Sequence, residues 1–577
     1  MPHFIRLRAQ RISTFDRWFN ETNGGCMAKK LRIVSTVALV FVLIASFQNC
    51  SSYKADEGME NQSSIGGSGA SQSSSDGQQL VGAPIVRLPE IDPVSGDIIG
   101  FPSTPNSSTT TTTTSQIPKT SFIYKTTLVN SSGQYVDAVC NASAVDQEGN
   151  SYCAGHTSSD LAEPNAGGAD VFAMKIDSTG KLVWIRQLGS RSLVALTTDY
   201  TSASSAGDRA VVNHNDFANS IAVDNFGNVY VGGMMSPTQH KSGNRVSGYS
   251  GGLVGGGAFV MKLNHQGAIQ WLKYANDNVN AVATNCSGLA TDSGGNVYCT
   301  GSAVDFVEKS GNKGKGDVFV VKFNALGTIQ WKRQLGSVSN TFGDSKASSV
   351  PTSITVDNAG NVYTAGVTDG NLAETSGGNV DAFVMKLSPL GVIQWVRQLG
   401  SKSNTFGSSA GADYCNGIAA DSIGNVYCAG RTDGRLADAY AGGNGDAFVM
   451  KLNSQGTIQW VKQLGQSFTQ GDSSQYEICY GVAVDPSNNV YCAGMTTSRL
   501  APGSSANRNG DAFVTKLNPQ GAVQWVKQWG ETEAEAQNRC HGVSVDVAGN
   551  VYCAGYSNII HTSGSSGFIM KIGVSQQ

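Results

Sequence analysis

The chain has 577 residues, 70 of which are Gly, and only 14% of its residues are charged. Its formal net charge is −3 and it contains no run of Lys or Arg, which argues against nucleic acid as a partner. The length permits several domains, although repeats can also build one large unit of this size.

Residues 27–49 have the features of an export signal. Three basic residues precede an apolar stretch that runs from Ile33 to Phe47. At 15 residues, this stretch is too short to span a membrane and has the length of a signal-peptide core. We interpret residues 1–26 as an over-extended start, with Met27 as the first translated residue.

A cysteine, Cys50, follows the apolar stretch at the distance seen in bacterial lipoproteins, whose lipidation site this segment resembles. Phe47 and Asn49 depart from the usual residues before that cysteine, so ordinary secretion is the alternative. The resemblance implies a membrane anchor at Cys50. Ser51 in the next position implies an outer-membrane lipoprotein of the bacterial envelope, on a side of the membrane that is left open.

Residues 50–119 are rich in Ser, Gly, Thr, Gln and Pro and include six consecutive Thr, from Thr109 to Thr114. Such a composition buries too little apolar surface to offset the entropy of ordering, which predicts a disordered tether. A flexible coil of about 70 residues spans roughly 45 Å root-mean-square. That length suits a tether that holds a folded head away from a membrane.

One short pattern recurs seven times between residues 120 and 573. An Asp is followed six residues later by a Tyr and then by a Gly, and successive copies are 61 to 78 residues apart. Regular self-similarity of this kind indicates a repeat architecture. The tyrosines are Tyr152, Tyr230, Tyr298, Tyr363, Tyr427, Tyr491 and Tyr552.

Each copy contains four short runs with the composition of β-strands. In the fifth copy they are Gly417 to Asp421, Asn425 to Gly430, Asp446 to Leu452 and Ile458 to Gly465. Their β-branched and aromatic residues, bounded by Gly, Asn or Asp, predict strands A to D of one propeller blade. Strand A is built from small residues that suit the crowded axis, and strand D carries a Trp that suits the periphery. No segment from residue 120 onward has a convincing helical period.

Two spacings are fixed and two vary. Asp to Tyr is always six residues, and the Lys of run C precedes the Trp of run D by nine residues in six copies. Fixed spacing indicates tight A–B and C–D hairpins closed by a left-handed Gly. The B–C and D–A connections absorb every change in length. One face of the propeller is therefore expected to be uniform, and the opposite face, here called the variable face, is expected to bind.

The seventh copy ends without a Trp run, and the missing strand lies at the start of the repeat region. Residues 121–128 match run D, with Tyr124 in the place of the Trp. This N-terminal strand is predicted to complete the last blade and close the ring, which also removes exposed sheet edges. The prediction is an all-β, seven-bladed propeller over 120–573, with four antiparallel strands per blade and a short tail at 574–577.

The pattern GDAFVMKLNSQGTIQWVKQLG followed by GIAADSIGNVYCAG resembles the bacterial seven-bladed β-propeller repeat family, the SBBP repeats. The resemblance covers about 120 to 572. It implies the propeller fold and an envelope location, but no shared activity.

Ten of the twelve cysteines form pairs thirteen residues apart, and the two remaining copies lack both cysteines. An exported chain permits disulfides, and the pairs suggest one bond within each of five blades. A regular hairpin would place Cys415 about three residues from the position opposite Cys428, so a bulge or a back-bending entry to run A is needed. Buried free thiols are the alternative. The pairs are Cys140 with Cys153, Cys286 with Cys299, Cys415 with Cys428, Cys479 with Cys492, and Cys540 with Cys553.

Seven Asp and seven Lys recur with the copies, but a catalytic group is needed only once. We therefore interpret each Asp as closing a turn and each Lys as a partnered or snorkelling side chain. They are Asp146, Asp224, Asp292, Asp357, Asp421, Asp485 and Asp546, with Lys175, Lys262, Lys322, Lys386, Lys451, Lys516 and Lys571.

Function is expected where the symmetry breaks, and the longest connections are 190–217 and 234–257. Their polar residues could bind a metal or a polar ligand, although a solvated polar loop is the plainer interpretation. The candidates are Asp208, Arg209, His214, Asp216, His240, Lys241, Arg245 and Tyr249.

The sequence therefore favours a monomeric, non-catalytic binding or scaffold module for a protein or glycan partner. No catalytic, metal or cofactor site is predicted. The alternative is an envelope enzyme, glycan-active or quinone-dependent, with its site on the variable face.

Overall fold

A computed structural model describes residues 90–91, 98–99, 122–128, 136–189, 215–235, 257–275, 282–283, 285–304, 316–336, 347–373, 380–401, 411–436, 445–465, 475–502, 504, 509–530, 537–558 and 565–573. All of them lie within Pro84–Gln577, and their regular elements are strands. No helix in these ranges is long and apolar enough to cross a membrane.

The strands form seven four-stranded antiparallel meanders, so the predicted fold is confirmed. Blade 1 contains β4 (Ala138–Val145), β5 (Ser151–Thr157), β6 (Asp170–Ile176) and β7 (Leu182–Leu188). Blade 2 contains β8 (Phe217–Val223), β9 (Val229–Met235), β10 (Gly257–Leu263) and β11 (Ile269–Tyr274). Blade 3 contains β13 (Gly288–Thr291), β14 (Val297–Val304), β15 (Asp317–Phe323) and β16 (Ile329–Leu335), and a short β12 (Val282–Ala283) also pairs with β14.

Blade 4 contains β17 (Ser349–Val356), β18 (Val362–Thr368), β19 (Asp381–Leu387) and β20 (Ile393–Leu399). Blade 5 contains β21 (Asp413–Ala420), β22 (Val426–Thr432), β23 (Asp446–Leu452) and β24 (Ile458–Leu464). Blade 6 contains β25 (Glu477–Val484), β26 (Val490–Thr496), β27 (Asp511–Leu517) and β28 (Val523–Trp529). Blade 7 contains β29 (Gln537–Val545), β30 (Val551–Asn558), β31 (Ser565–Ile572) and β3 (Phe122–Thr127).

The ring is closed by the N-terminal strand. β3 pairs with β31, and Tyr124 lies opposite Lys571, as the Trp of each other blade lies opposite its Lys. The first strands of neighbouring blades contact one another around the axis, including β29 of blade 7 and β4 of blade 1. Because each meander runs from the axis outward, strand A is innermost and strand D is outermost.

Two short strands, β1 (Glu90–Ile91) and β2 (Ile98–Ile99), lie within the segment that was expected to be a disordered tether. They pair with each other in antiparallel fashion. Isoleucine is β-branched and favours a strand, which separates this stretch from the Ser/Thr-rich remainder of the tether.

The A–B turns follow the predicted chemistry. In blade 1 the Gly149 N–H donates to the carbonyl of Asp146, and Gly149 has a φ of 79°. Blade 6 has Asn488 at this position, with a φ of 63°, the only positive φ of a non-glycine residue in the described ranges. Asparagine tolerates this left-handed region better than most side chains, so the turn is preserved.

Recurrent residues join each blade to the next. All seven recurrent tyrosines are fully buried, and each hydroxyl donates to the Asp of its own A–B turn at 2.8–3.1 Å. The recurrent Lys nitrogens lie 4.9–5.4 Å from the tyrosine ring centres. In blades 1 to 5 the Trp Nε1 donates at 3.1 Å to a carbonyl in the next blade's C–D turn. These side chains therefore fix each A–B turn within its blade and join blades 1 to 6 in series.

The five cysteine pairs are disulfides, each within its own blade, so the cysteines are not the buried free thiols of the alternative interpretation. Their Cα–Cα distances are 5.6–5.8 Å. This is the separation at which two cysteines can be bridged without moving the backbone. The bonds join Cys140 with Cys153, Cys286 with Cys299, Cys415 with Cys428, Cys479 with Cys492, and Cys540 with Cys553.

The bulge that these bonds require is present in strand A. In blade 5 the register shifts between Cys415 and Gly417, so that Cys415 lies opposite Gly430 and close to Cys428. Strand A therefore begins earlier than the sequence predicted. A Cβ on Gly430 would collide with the carbonyl oxygen of Tyr414. This collision explains why a Gly stands three residues after each of the seven recurrent Tyr residues.

Candidate functional site

The recurrent Asp and Lys residues contribute to the framework. Asp146 accepts hydrogen bonds from Asn150 and from Tyr152, and Lys175 lies 3.7 Å away. In blade 3 burial opposes ionisation of Asp292, but hydrogen bonds from Asn296 and Tyr298 and the charge of Lys322 outweigh it and lower the pKa of that carboxyl. A carboxylate that is already satisfied in this way is not available to a ligand.

A depression of about 320 Å³ opens on the uniform face, at the ends of the innermost strands of blades 4 to 7. Its acidic residues are members of the same framework set, and each accepts a hydrogen bond from its own tyrosine. Within the described ranges no group of three or more His, Cys, Asp or Glu could hold a metal. The depression is lined by Asp357, Asp421, Asp485 and Asp546, among other residues.

Most of the loop candidates lie outside the described residues. These are Asp208, Arg209, His214, His240, Lys241, Arg245 and Tyr249, and the same is true of the export signal and Cys50. Asp216 is described and is only 1% exposed. Its N–H donates to the carbonyl of Ala169 at 2.7 Å, and the N–H groups of Asp413 and Glu477 make the equivalent bond in their blades. Asp216 therefore occupies a recurrent buried position.

The copies diverge at the residue that forms the bulge of each innermost strand. In blades 1 and 5 this residue is an Asn whose side chain donates to the backbone of the next blade: Asn141 to Ala218 at 2.8 Å and Asn416 to Cys479 at 3.0 Å. Blades 6 and 7 replace it with large aromatic rings. The seven residues are Asn141, Asn219, Ser287, Thr352, Asn416, Tyr480 and His541.

A second divergent position follows the invariant Gly of strand B. There blade 5 has Arg431 and blade 7 has Tyr556, where other blades have Met, Val, Ser or His. The first position lies midway along the innermost strand, and the second lies near the variable-face end of strand B beside it. We call this region the axial cluster, and its members, all partly exposed, are Tyr414, Arg431, Asp433, Tyr476, Tyr480, Gln537, Arg539, His541 and Tyr556.

Aromatic rings form the centre of the axial cluster. The His541 ring lies edge-on between Tyr480, at 5.1 Å, and Tyr556, at 5.3 Å. The Tyr556 hydroxyl donates to Gln537 Oε1 at 3.2 Å, and the Arg539 guanidinium lies 5.7 Å from the Tyr556 ring centre. The cluster thus combines ring faces, a cation and amide groups within a small region.

The second guanidinium of the cluster is already neutralised. Arg431 donates to both carboxylate oxygens of Asp433 at 2.7 Å and to the Tyr476 hydroxyl at 3.2 Å. It also lies 5.1 Å from the Tyr414 ring centre and 5.0 Å from that of Tyr476. Its charge and its geometry are therefore fixed by its own neighbours.

The charge of Arg539 is not balanced in this way. Within the described part of the chain Arg539 forms no ion pair, and its buried Nε has no hydrogen-bond partner. Burial, Arg539 and His156 lower the pKa of His541 to about 4, so that ring is neutral at pH 7. Burial raises the pKa of Tyr480 to about 12, which keeps its hydroxyl protonated. The centre of the cluster therefore carries one positive charge.

A family model described as a beta-propeller repeat (SBBP) matches residues 183–234, 330–373, 394–437, 459–500 and 524–560. The chain contains SBBP β-propeller repeats in these five segments. The resemblance seen in the sequence is thereby confirmed. The axial cluster lies at positions where individual SBBP repeats of this chain differ.

Comparison with curated proteins finds no match. Several solved structures are similar to this protein at low identity. The polysaccharide lyase Uly1 is 10% identical, with a TM-score of 0.40 over 75% of this chain and 90% of the other. The Hadza microbial sialidase Hz136 is 8% identical, with a TM-score of 0.34 over 71% and 74%. A Bacteroides caccae protein of unknown function is 11% identical, with a TM-score of 0.30 over 63% and 92%. Similarity this low says nothing about activity.

Broken symmetry was expected in the lengths of the loops, but it also lies inside the strands. It is visible when the seven copies of the repeat are aligned residue by residue. Tyr480 and His541 stand where the other blades have Asn, Ser or Thr, and Arg431 and Tyr556 stand out in the same way. Their mutual contact follows from the bulge and the ring, neither of which has a sequence signal strong enough to place side chains.

Proposed function

We propose that this chain is a non-catalytic binding module of the bacterial envelope, which holds its ligand at the axial cluster. The observation that carries the proposal is a contrast within the repeats. Recurrent polar and aromatic residues are engaged in blade contacts, whereas the divergent ones gather at the axial end of the variable face and remain partly exposed. Exposed aromatic and arginine side chains in one place are typical of binding sites.

A test can exploit residues that the other blades already use. Tyr480→Asn and His541→Asn each introduce the Asn found in blades 1, 2 and 5, so the backbone conformation is compatible with them. Asn219→Ser is the matched control. It introduces at the bulge of blade 2 the Ser that blade 3 has at this position, and blade 2 contributes no aromatic residue to the axial cluster. The full-length variants are compared on an array of envelope polysaccharides and by cross-linking in envelope extract.

We expect Tyr480→Asn and His541→Asn to lose the ligand that the unaltered chain and Asn219→Ser retain. A chain shortened within 190–214 and 236–256 serves as a second comparison, because these long loops are the other candidate locus. Loss of binding only after loop shortening would move the site to the loops. Equal binding by all variants would overturn the proposal.

The envelope location rests on the sequence of the N-terminus. We propose that Cys50 carries a lipid and that residues 50–119 tether the propeller to the outer membrane. A radiolabelled fatty acid should be incorporated by the unaltered protein but not by Cys50→Ala, which should appear in the soluble fraction. Labelling of both proteins would exclude Cys50 as the anchor.

A glycan-active enzyme is the second candidate, and the state of His541 favours it. A neutral imidazole that packs against two tyrosine rings can accept a proton, as a general base must. The check is release of reducing ends from acidic and neutral polysaccharides. Activity lost in His541→Asn and retained in Asn219→Ser would establish the enzyme, and no release from any substrate would leave the binding module alone.

A further inference from the structure

We propose that the axial cluster binds an anionic sugar of an acidic polysaccharide, with Arg539 contacting the anion and the rings of Tyr480 and Tyr556 contacting the sugar. The inference rests on the proposed function and specifies its ligand. It concerns carboxylate and sulfate groups alike, since a guanidinium recognises both.

Arg539 carries the unbalanced positive charge of the axial cluster. Arg539 has an innermost-strand position, yet within the described residues it has no carboxylate partner, and its Nε lacks an acceptor. Leaving a buried donor of a charged group unsatisfied costs free energy. An anion with two oxygens could bond the two terminal nitrogens together, which is the planar geometry that arginine favours.

The second step is the contrast with Arg431. Asp433 already accepts two hydrogen bonds from that guanidinium, and the rings of Tyr414 and Tyr476 pack against it. Arg431 therefore orders the neighbouring wall of the cluster, and the site has one free cationic group. A ligand with one anionic group per sugar matches one unpaired cation better than a densely charged phosphate chain does.

The third step concerns the rings. Tyr480 and Tyr556 are partly exposed and lie on either side of His541, which is neutral. Tyrosine presents an apolar face with a polar tip, so it can cover the C–H face of a sugar and bond its hydroxyls. Gln537, which accepts from Tyr556, adds an amide at the same edge.

An acidic peptide is the competing ligand, and the sheet edges argue against it. Extended peptides commonly dock by adding a strand to a free sheet edge. The innermost strands face one another around the axis, and Asn141, Thr352 and Asn416 bond to the backbone of the next blade. The axial end therefore offers side chains rather than a free edge for a strand.

The test measures binding of the full-length protein by calorimetry to three probes: polygalacturonate, chondroitin sulfate and neutral dextran. We expect both acidic polymers to bind more tightly than dextran, with affinity that falls as salt rises. Arg539→Gln should weaken acidic binding about tenfold or more, since a charged hydrogen bond is lost. Arg539→Lys should recover part of it, and Asn219→Ser should match the unaltered chain. The two acidic polymers separate a carboxylate from a sulfate preference.

The outcomes separate this inference from the proposed function. Equal binding of dextran and acidic polymers, unaffected by Arg539→Gln but lost in Tyr480→Asn, would overturn the anionic ligand and leave the binding site in place. Capture of an envelope protein that depends on Tyr480, with no glycan bound, would do the same. Polysaccharide binding that survives Tyr480→Asn, His541→Asn and Arg539→Gln would overturn both.

Discussion

At the residue scale, the same position can serve packing in one blade and electrostatics in another. A residue at the start of the innermost strand, the first in blades 4 to 6 and the second in blade 7, donates its N–H to the preceding blade in the same way. Its side chain is nevertheless Ser349, Asp413, Glu477 or Asn538. Glu477 is 1% exposed and lies near Asp446, so this interface buries two carboxyl groups.

The buried Glu477 predicts a pH dependence of stability. Burial raises the pKa of Glu477 to about 7, although hydrogen bonds from Ser498 and Thr496 oppose the shift. The folded state therefore binds a proton more tightly than the unfolded state, whose glutamate has a pKa of about 4.3. Its contribution to the free energy of unfolding is complete below that value and is lost as pH rises through about 7.

We expect Glu477→Gln to leave the melting temperature unchanged near pH 5 and to raise it near pH 8, relative to the unaltered chain. Comparing variant with parent at each pH removes the contribution of His541, whose lowered pKa acts in the opposite direction below its unfolded value. Thermal melts followed by fluorescence give the answer. A variant that is less stable at pH 8 would show that Glu477 is ionised and favourably paired.

At the element scale, the bulge of strand A is the feature with the largest consequences. It brings the two cysteines of a blade within bonding distance, and it aims the bulge residue at the next blade. The turns, the strand order and ring closure by β3 were predictable, because fixed spacings and turn residues are local signals. The extension of strand A back to Asp413 was not, since its residues include a bulge that breaks the alternation of side chains. The clustering of Tyr480, Arg539 and His541 depends on that bulge and was not predicted, because the cysteine spacing called for an irregularity in strand A without placing the side chains around it.

The disulfides are expected to be a local addition to blades that fold without them. Blade 2 has Ala218 and Val231 at the two cysteine positions and the same strand order. Cys415→Ala combined with Cys428→Val should therefore keep the fold and lower the free energy of unfolding by about 3 kcal/mol, the value for a loop of this size. Urea unfolding measures the change.

Alkylation with intact-mass analysis should leave all ten propeller cysteines of the parent unmodified, and modification of any pair would show that it is reduced.

At the scale of the whole molecule, the seam between blades 7 and 1 decides whether the ring behaves as one unit. Tyr124 is 2% exposed, and its hydroxyl lies 3.2 Å from Ser151 Oγ of blade 1. The Tyr552 hydroxyl bonds the carbonyl of Gly149 at 3.1 Å across the same seam. Release of β3, the strand that carries Tyr124, would expose the edge of β31 to pairing with other chains.

Tyr124 therefore offers a matched pair of substitutions. Tyr124→Ala removes a buried aromatic ring and should cost about 3 to 5 kcal/mol, the range for such truncations. Tyr124→Trp instead introduces the residue that occupies this position in the other six blades. The Trp Nε1 would be directed at the C–D turn of blade 1, because the Asp177 carbonyl of that turn lies 3.5 Å from the Tyr124 hydroxyl. We expect Tyr124→Trp to retain the parental stability and Tyr124→Ala to form oligomers on mild heating, as measured by light scattering. Equal behaviour of the two variants would mean that the backbone pairing of β3 with β31 is enough to hold β3 in blade 7. The aromatic side chain in strand D would then contribute packing that a blade can lose.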